Sequence, residues 1–379
     1  MRAILLCVPL LCTPRASASD HLFAPQEEHA HASGVAELAD GSLIAVWFQG
    51  SGERRANDVR LLGSRLAGAG SDWSAPFPMA DTPGLPDCNP TLLVDGKGRL
   101  FLFWVVVAAN RWEQAVLKYR RADEPVGTGE PSWSWQDAIH LVPGEAFARR
   151  VEAGFGELAV TEHLWAAYAP RYSSQVIEAA RDPAKRQCGW MTRVHPVLRA
   201  DGRILLPLYS DGFNLGLMAL GEPDGMSWRA LGPIVSPGGV QPSPVPLGEG
   251  RWVAFLRDNG PAPHRMLRSV STDDGETWSV AVDTDVPNPG SSVEAIALAD
   301  GRIALALNDL ERGRHRLSLF FSADGGATWP KRRVVAFDPD GRHAFAYPSL
   351  IQASDGRLHL TYSFSGPDGE TIDHASFEL

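Results

Sequence analysis

Cysteine is scarce, at 4 of 379 residues. A chain of this size cannot be built on a disulfide framework with so few. Positive charge is also in deficit: 35 Lys+Arg face 45 Asp+Glu, for a formal net charge of −10. That balance argues against nucleic acid as a non-specific partner, because phosphate binding needs a basic face. No apolar run approaches the roughly 18 residues that mark a membrane-spanning helix, so no membrane span is expected. No helical 3.6-residue periodicity of any length stands out. Nucleotide loops, CxxC pairs, HExxH and Ser-His-Asp spacings are missing too. What is present is Gly (37), Pro (29) and Trp (12), in a chain 44% hydrophobic and 21% charged. This is a globular composition that leans towards short strands and tight turns.

The first residues read as a targeting segment. Met1-Arg2 is a short basic start, and Ala3 to Cys12 is an apolar stretch of about ten residues, too short to span a bilayer. Ala16-Ser17-Ala18 fits the small-x-small cleavage pattern of a secretory signal. The expectation is an export signal over 1–18 and one domain over 19–379. Cleavage removes Arg2, Arg15 and no acid, which takes the net charge from −10 to −12. It leaves Cys88 and Cys188, and export would permit them to pair. The competing reading of the segment is a buried N-terminal strand.

One pattern recurs along the rest: strand, Gly turn, strand. The instances are VAELADGSLIAVW (35–47), PTLLVDGKGRLFLFW (90–104), PVLRADGRILLPLY (196–209), PSPVPLGEGRWVAFLR (242–257), VEAIALADGRIALALN (293–308) and PSLIQASDGRLHLTYS (348–363). Asp-Gly between alternating apolar runs is a strong hairpin signal. Six hairpins at a spacing of roughly 50–60 residues indicate a propeller or solenoid. Downstream of two of them, 271–278 and 322–329 share Ser-x-Asp-x-Gly-x-Thr-Trp, with degenerate versions at 71–74 and 225–228. The Asp and Ser side chains satisfy the turn backbone, and Trp packs beneath it. These residues read as structural.

In a propeller blade of four antiparallel strands with the first innermost, the Asp-Gly turns lie at one end. The starts of first strands and the ends of second strands lie at the other. Polar-Pro pairs recur at first-strand starts: Asn89-Pro90, His195-Pro196, Gln241-Pro242 and Tyr347-Pro348. Pro suits a strand's first residue, where no ladder bond is yet needed. His31 holds the comparable place in the first hairpin, with Ser292 and Glu294 near it in the fifth. Tyr209, Arg257 and Asn308 end second strands, Arg314 starts a third, and Glu53 and Asp58 lie in the first blade's 2–3 connection. These polar residues, distant in sequence, are expected at one mouth. His29 and His31 alternate on one strand face, but no third metal ligand is evident.

With those motifs the chain resembles the sialidase family with its BNR, or Asp-box, repeats, from about residue 29 to the end. The resemblance implies an all-β, six-bladed β-propeller. The stretch 137–190 lacks a clear hairpin and leaves open an elaborated second blade or a seventh blade. Sialidases hold a substrate carboxylate with three arginines, attack with a Tyr activated by a Glu, and use an Asp as acid/base. By resemblance, Tyr347 is the nucleophile, Arg257 the second arginine and Arg314 the third, with Arg316 competing. Two positions depart from the family. His31 stands where the first arginine is expected, and Gln241 where the activating Glu is expected. Glu53, ahead of Asp58, is the expected acid/base, and Glu294 a substitute for the missing Glu. Asn89 and His195 would join His31 in contacting substrate.

Three activities fit. The first is an exported exo-glycosidase removing a terminal carboxylate sugar such as sialic acid or a uronate. The second is a uronate-specific polysaccharide lyase, with the arginines acidifying the α-proton. The third is a non-catalytic glycan-binding propeller. A monomer without metal or cofactor is expected.

Overall fold

The computed structural model describes residues 20–68, 70–158 and 173–379. It contains six four-stranded antiparallel sheets. Blade 1 is β2 (His29–Glu37), β3 (Leu43–Gly50), β4 (Arg60–Leu66) and β5 (Phe77–Ala80). Blade 2 is β6 (Asp87–Val94), β7 (Leu100–Val107), β8 (Ala115–Ala122) and β9 (Trp135–Ala138). Blade 3 is β10 (Val197–Leu198), β11 (Ile204–Ser210), β12 (Leu215–Gly221) and β13 (Trp228–Ile234). Blade 4 is β14 (Gly239–Gly248), β15 (Arg251–Asp258), β16 (Arg265–Ser271) and β17 (Val282–Pro287). Blade 5 is β18 (Glu294–Ala297), β19 (Ile303–Leu307), β20 (Arg316–Ser322) and β21 (Lys331–Phe337). Blade 6 is β22 (Ala344–Gln352), β23 (Leu358–Gly366), β24 (Gly369–Phe377) and, from the other end of the chain, β1 (Asp20–His21). The fold is therefore a six-bladed β-propeller, and each of the six hairpins supplies the inner two strands of one blade.

The ring is closed by chain ends. Asp20 pairs with His374 and His21 with Asp373, and the contact continues through Leu22 N–H to the Ile372 carbonyl at 2.8 Å. Inner strands pack on their neighbours, β2 against β22 and β6, and β14 against β18. At the hairpin tips the Asp carboxylate caps the turn, as in Asp40 Oδ1 accepting from Ser42 N–H at 3.0 Å. Gly41 and Gly301 there sit at φ 81° and 86°, a region closed to most side chains.

The Ser-x-Asp-x-Gly-x-Thr-Trp segments connect third to fourth strands. Ser271 Oγ donates to Asp273 Oδ1 at 2.8 Å, and Trp278 Nε1 to the Gly275 carbonyl at 3.0 Å. The second copy repeats this with Ser322 Oγ to Asp324 Oδ1 at 2.7 Å. The degenerate copies keep parts of the scheme: Trp228 Nε1 reaches the Gly225 carbonyl at 2.8 Å, and Ser64 Oγ meets the Ser74 carbonyl at 2.7 Å, as Ser269 meets Ser279.

Two points that the sequence left open are resolved. The stretch 137–190 is not a seventh blade. It carries two helices, α1 (Glu145–Leu158) and α2 (Ser173–Arg181), inserted between blades 2 and 3. The apolar face of α1, with Phe147, Ala148, Val151, Gly154 and Phe155 buried, follows a helical spacing that the stronger two-residue alternation elsewhere obscured. Gly154 is needed there, because a Cβ would stand 2.7 Å from Val235. Cys88 and Cys188 are both free, the first buried and the second exposed, since they lie on β6 and on the insertion's trailing turn. The expected export signal over 1–18 lies outside the described residues. No helix among the described residues is long and apolar enough to cross a membrane.

Candidate functional site

Four inner strands break register at the same place. The breaks fall at His31/Gly34, Cys88/Thr91, Val240/Ser243 and Ala346/Ser349. Within them Ala32, Asn89, Gln241 and Tyr347 adopt φ of 55°, 53°, 54° and 56°. A bulge with one left-handed residue re-aims its side chain out of the strand's alternation. Non-glycine residues hold that conformation only where packing enforces it. The repeated Xaa-Pro pairs at Asn89, Gln241 and Tyr347 mark this device. In blade 1 the equivalent residue is Ala32, so His31 stands one position before the place the sequence suggested.

Asn89 and Tyr347 face a cavity of ≈ 600 Å³ at the mouth away from the Asp-Gly turns. His29, His31, Glu53, Arg257 and Arg314 also line it. At its centre Arg257 Nη1 donates to the Tyr347 hydroxyl at 2.9 Å. The Arg314 guanidinium lies 5.4 Å from the Tyr347 ring centre and that of Arg193 5.0 Å. Burial alone would raise the Tyr347 phenol, but Arg257, Arg314 and Arg193 outweigh it and bring the hydroxyl below its ordinary value. The His31 ring packs 4.2 Å from that of Tyr347. Burial, then His29 and the arginines, hold its imidazole well below the usual range, so it is neutral at pH 7.

The arginines come from different elements. Arg257 is on β15. Arg314 lies in the loop before β20, not at that strand's start, and its Nη2 reaches the Gly290 carbonyl at 3.1 Å. Arg316 is tied to Asp309 Oδ1 at 2.9 Å and does not line the cavity. Asn308 is a backbone anchor, donating to the Arg316 and Phe345 carbonyls at 2.7 Å each.

Other sequence candidates lie elsewhere. Asp58 accepts from Ser51 Oγ at 2.9 Å in the exposed 2–3 loop and is outside the lining. Gln241 is 2% exposed and outside the lining, beside the phenol of Tyr209, which does line the cavity. Glu294, 1% exposed, forms a short ion pair with His195, whose Nε2 meets the Val35 carbonyl at 2.6 Å. Burial would lower the His195 imidazole, but the Glu294 carboxylate more than compensates and raises it. This pair joins blades 3 and 5 across the ring interior, and neither member reaches the cavity that Tyr347 faces.

Several lining residues escaped the sequence. Arg54, beside Glu53, places its guanidinium 5.2 Å from the Trp112 ring, and Asn110 Nδ2 holds the Arg54 carbonyl at 2.6 Å. Glu370 Oε2 lies 2.9 Å from His29 Nδ1. Asp211, 6% exposed, follows the end of β11, a position the end-of-second-strand rule points to. Arg193, which is not in the lining but sits behind the Tyr347 ring, is 2% exposed and bolts blade 1 to blade 6 through the Ser33 and Pro348 carbonyls, both at 3.0 Å. It lies in irregular chain before blade 3, where no sequence signal marks it. Among the described residues no group of three or more His, Cys, Asp or Glu is placed to hold a metal ion.

The fold is similar to several solved structures. The Hadza microbial sialidase Hz136 superimposes with TM-score 0.67 at 16% identity, over 92% of this chain and 66% of that one. The intramolecular trans-sialidase from Ruminococcus gnavus gives 0.64 at 13%, over 96% and 97%. An alpha-l-arabinofuranosidase from Fusarium graminearum gives 0.61 at 14%, over 95% and 97%. No curated protein matches the chain. The family model for the BNR repeat-like domain matches residues 41–152 and 184–360. Those two segments make up well over half of the chain, and the chain belongs to the BNR repeat-like domain family.

Proposed function

We propose that this chain is an exported glycoside hydrolase that removes a terminal carboxylate-bearing sugar, a sialic acid or a uronic acid, from a glycan. The observation that carries the reading is the hydrogen bond from Arg257 to Tyr347 inside a cavity that Arg314 also lines. Two guanidiniums can fork a carboxylate, and a partly desolvated site strengthens that contact. The same charges lower the phenol, so Tyr347 is a ready nucleophile against an anomeric carbon. A Tyr nucleophile is a known exception among glycosidases. Neutral His31 packs against it without adding charge. Carboxyl groups that could serve as acid/base also line this cavity. The sialidase and trans-sialidase neighbours support the chemistry by analogy of fold. Glycan turnover fits an exported protein, and the segment over 1–18 has the pattern of a signal.

A second reading has one observation in its favour. Gln241, not a carboxylate, stands at the bulge position of blade 4, and Glu294 is occupied by His195. With no carboxylate at either place to serve Tyr347, the lowered phenol would act as the base that removes the α-proton of a uronate, with the arginines stabilising the resulting anion. Screening the mature protein against sialosides, uronides and uronate polysaccharides separates the readings by product mass. Hydrolysis adds one water per cleavage. Elimination adds none and yields an ultraviolet-absorbing unsaturated sugar. Binding without turnover would leave only the glycan-binding propeller.

A further inference from the structure

Glycoside cleavage through Tyr347 needs a second group that protonates the departing oxygen. Three carboxyl groups line the cavity: Glu53, Asp211 and Glu370. Glu370 is engaged, with its Oε2 accepting from Ala30 N–H at 3.0 Å and lying 2.9 Å from His29 Nδ1. Glu53 sits on the open 2–3 loop of blade 1, its side chain 38% exposed and 3.5 Å from Arg54 Nη1. Asp211 differs from both. It is 6% exposed, faces the cavity, and has no ion-pair partner within 4.0 Å among the described residues.

The loop that carries it is built to stay still. Ser210 Oγ accepts from Phe213 N–H at 3.3 Å. The Phe213 ring stacks on Trp190 with centroids 5.5 Å apart and planes 10° from parallel. Phe147 of α1 meets both rings edge-on, at 5.5 and 5.8 Å. The helical insertion between blades 2 and 3 therefore clamps the residue two positions after Asp211. Both α-helices among the described residues belong to this insertion. A carboxyl group on a rigid support at a cavity wall is what a proton donor needs.

We propose that Asp211 is the general acid of this site, the group that gives its proton to the leaving-group oxygen. The assignment rests on the glycosidase reading above. Burial pushes the Asp211 carboxyl up to about 7, although Arg257 and Arg54 pull it down, and Glu53 and Glu113 add to the rise. Tyr209 faces it as well. A carboxyl that titrates there keeps a substantial protonated fraction near neutrality and can donate.

The chemistry balances. The Tyr347 phenolate oxygen bonds to the anomeric carbon as the bond to the aglycone oxygen breaks. That bond's electron pair goes to the aglycone oxygen, which takes the Asp211 proton and leaves as an alcohol. Water then attacks the same carbon, its hydroxyl staying on the sugar and its proton returning to Asp211, while Tyr347 leaves as phenolate. The sum is glycoside plus water to sugar plus alcohol.

The test compares wild type, Asp211→Asn and Glu53→Gln on 4-nitrophenyl and alkyl glycosides of N-acetylneuraminic acid and glucuronic acid. An acid is needed for a poor leaving group and hardly at all for a good one. Asp211→Asn is expected to lose about 100-fold or more on the alkyl glycoside, less than about ten-fold on the 4-nitrophenyl one, and the alkaline limb of kcat/KM near pH 7. Glu53→Gln is expected to keep both the limb and the leaving-group pattern. Equal loss on both substrates in Asp211→Asn, or the acid signature in Glu53→Gln instead, overturns the assignment in an enzyme that is otherwise active. A wild type that cleaves none of these glycosides overturns the glycosidase reading and the assignment together. Should Asp211→Asn fail to fold, the carboxyl ¹³C titration of wild type decides: a midpoint near 7 is expected, and one near 4 overturns the assignment.

Discussion

Arg257 donates a hydrogen bond to the Tyr347 hydroxyl at 2.9 Å, and the two residues lie 90 positions apart in the chain. Burial would raise a phenol's pKa, yet this one is lowered, because three arginines outweigh the loss of water. The site is thus a local positive centre in a protein with a formal charge of −10. An anionic ligand that reaches Tyr347 would meet Arg257 and Arg314 there.

Arg257→Ala and Arg314→Ala are each expected to lower kcat/KM on an anionic glycoside by about 100-fold or more, as fits loss of one charged hydrogen-bonding partner of a desolvated anion. Thermal melts should change little. Unchanged kcat/KM in both variants would remove the carboxylate site.

Tyr347→Phe is expected to abolish turnover while retaining ligand binding, since only the hydroxyl is removed and the bulge at φ 56° needs no oxygen. Isothermal titration with the free anionic sugar checks the binding. Retained turnover would mean that Tyr347 only shapes the pocket.

The Asp-boxes should show in the acid stability of the fold. Asp324 is held well below the usual carboxylate range by the Thr328 and Ser322 hydroxyls. For Asp273, burial works the other way, but Thr277 and Ser271 win and lower it. A lowered carboxylate contributes stability that is complete above its unfolded pKa and is lost as pH falls through the folded one. Stability should therefore decline below about pH 4. Asp324→Ala should lower Tm at pH 7, flatten that acid decline and leave kcat unchanged. A variant that melts like wild type but loses activity would contradict a structural role.

The His195–Glu294 pair carries the opposite sign. His195 is raised, so its contribution is present below the ordinary histidine pKa and fades as pH rises through the higher folded value. Glu294→Ala strands a buried imidazole and should cost about 3–5 kcal/mol of stability. Chemical denaturation at pH 6 reads this directly. A variant as stable as wild type but inactive would return Glu294 to the catalytic list.

Much of this architecture was legible because its signals are local. An Asp-Gly turn between apolar strands, or a Ser-x-Asp-x-Gly-x-Thr-Trp segment, carries its own backbone satisfaction and so recurs in recognisable form. The Xaa-Pro pairs at Asn89, Gln241 and Tyr347 are legible for the same reason. The bulge that gives them meaning could not be read, so His31 was aligned to the place of Ala32. Residues placed by the closing of the ring left no local trace. Arg193 acts from irregular chain, and Glu294 is drawn to His195 from two blades away, whereas Asp211 follows the end of a second strand, where the sequence rule does point. The helix at 145–158 was hidden because its apolar face is short and interrupted by glycine.

On the proposed reading, the site acts on a sugar because that sugar carries a carboxylate held by Arg257 and Arg314. The most direct measurement is the cleavage rate of two glycosides that share aglycone and linkage and differ only in carboxylate against hydroxymethyl, for example a glucuronide and the matching glucoside. The carboxylate form should be cleaved about 100-fold faster or more, with products heavier by one water, and this preference should collapse in Arg257→Ala. Equal rates on both sugars, or a preference for the neutral one, would contradict it.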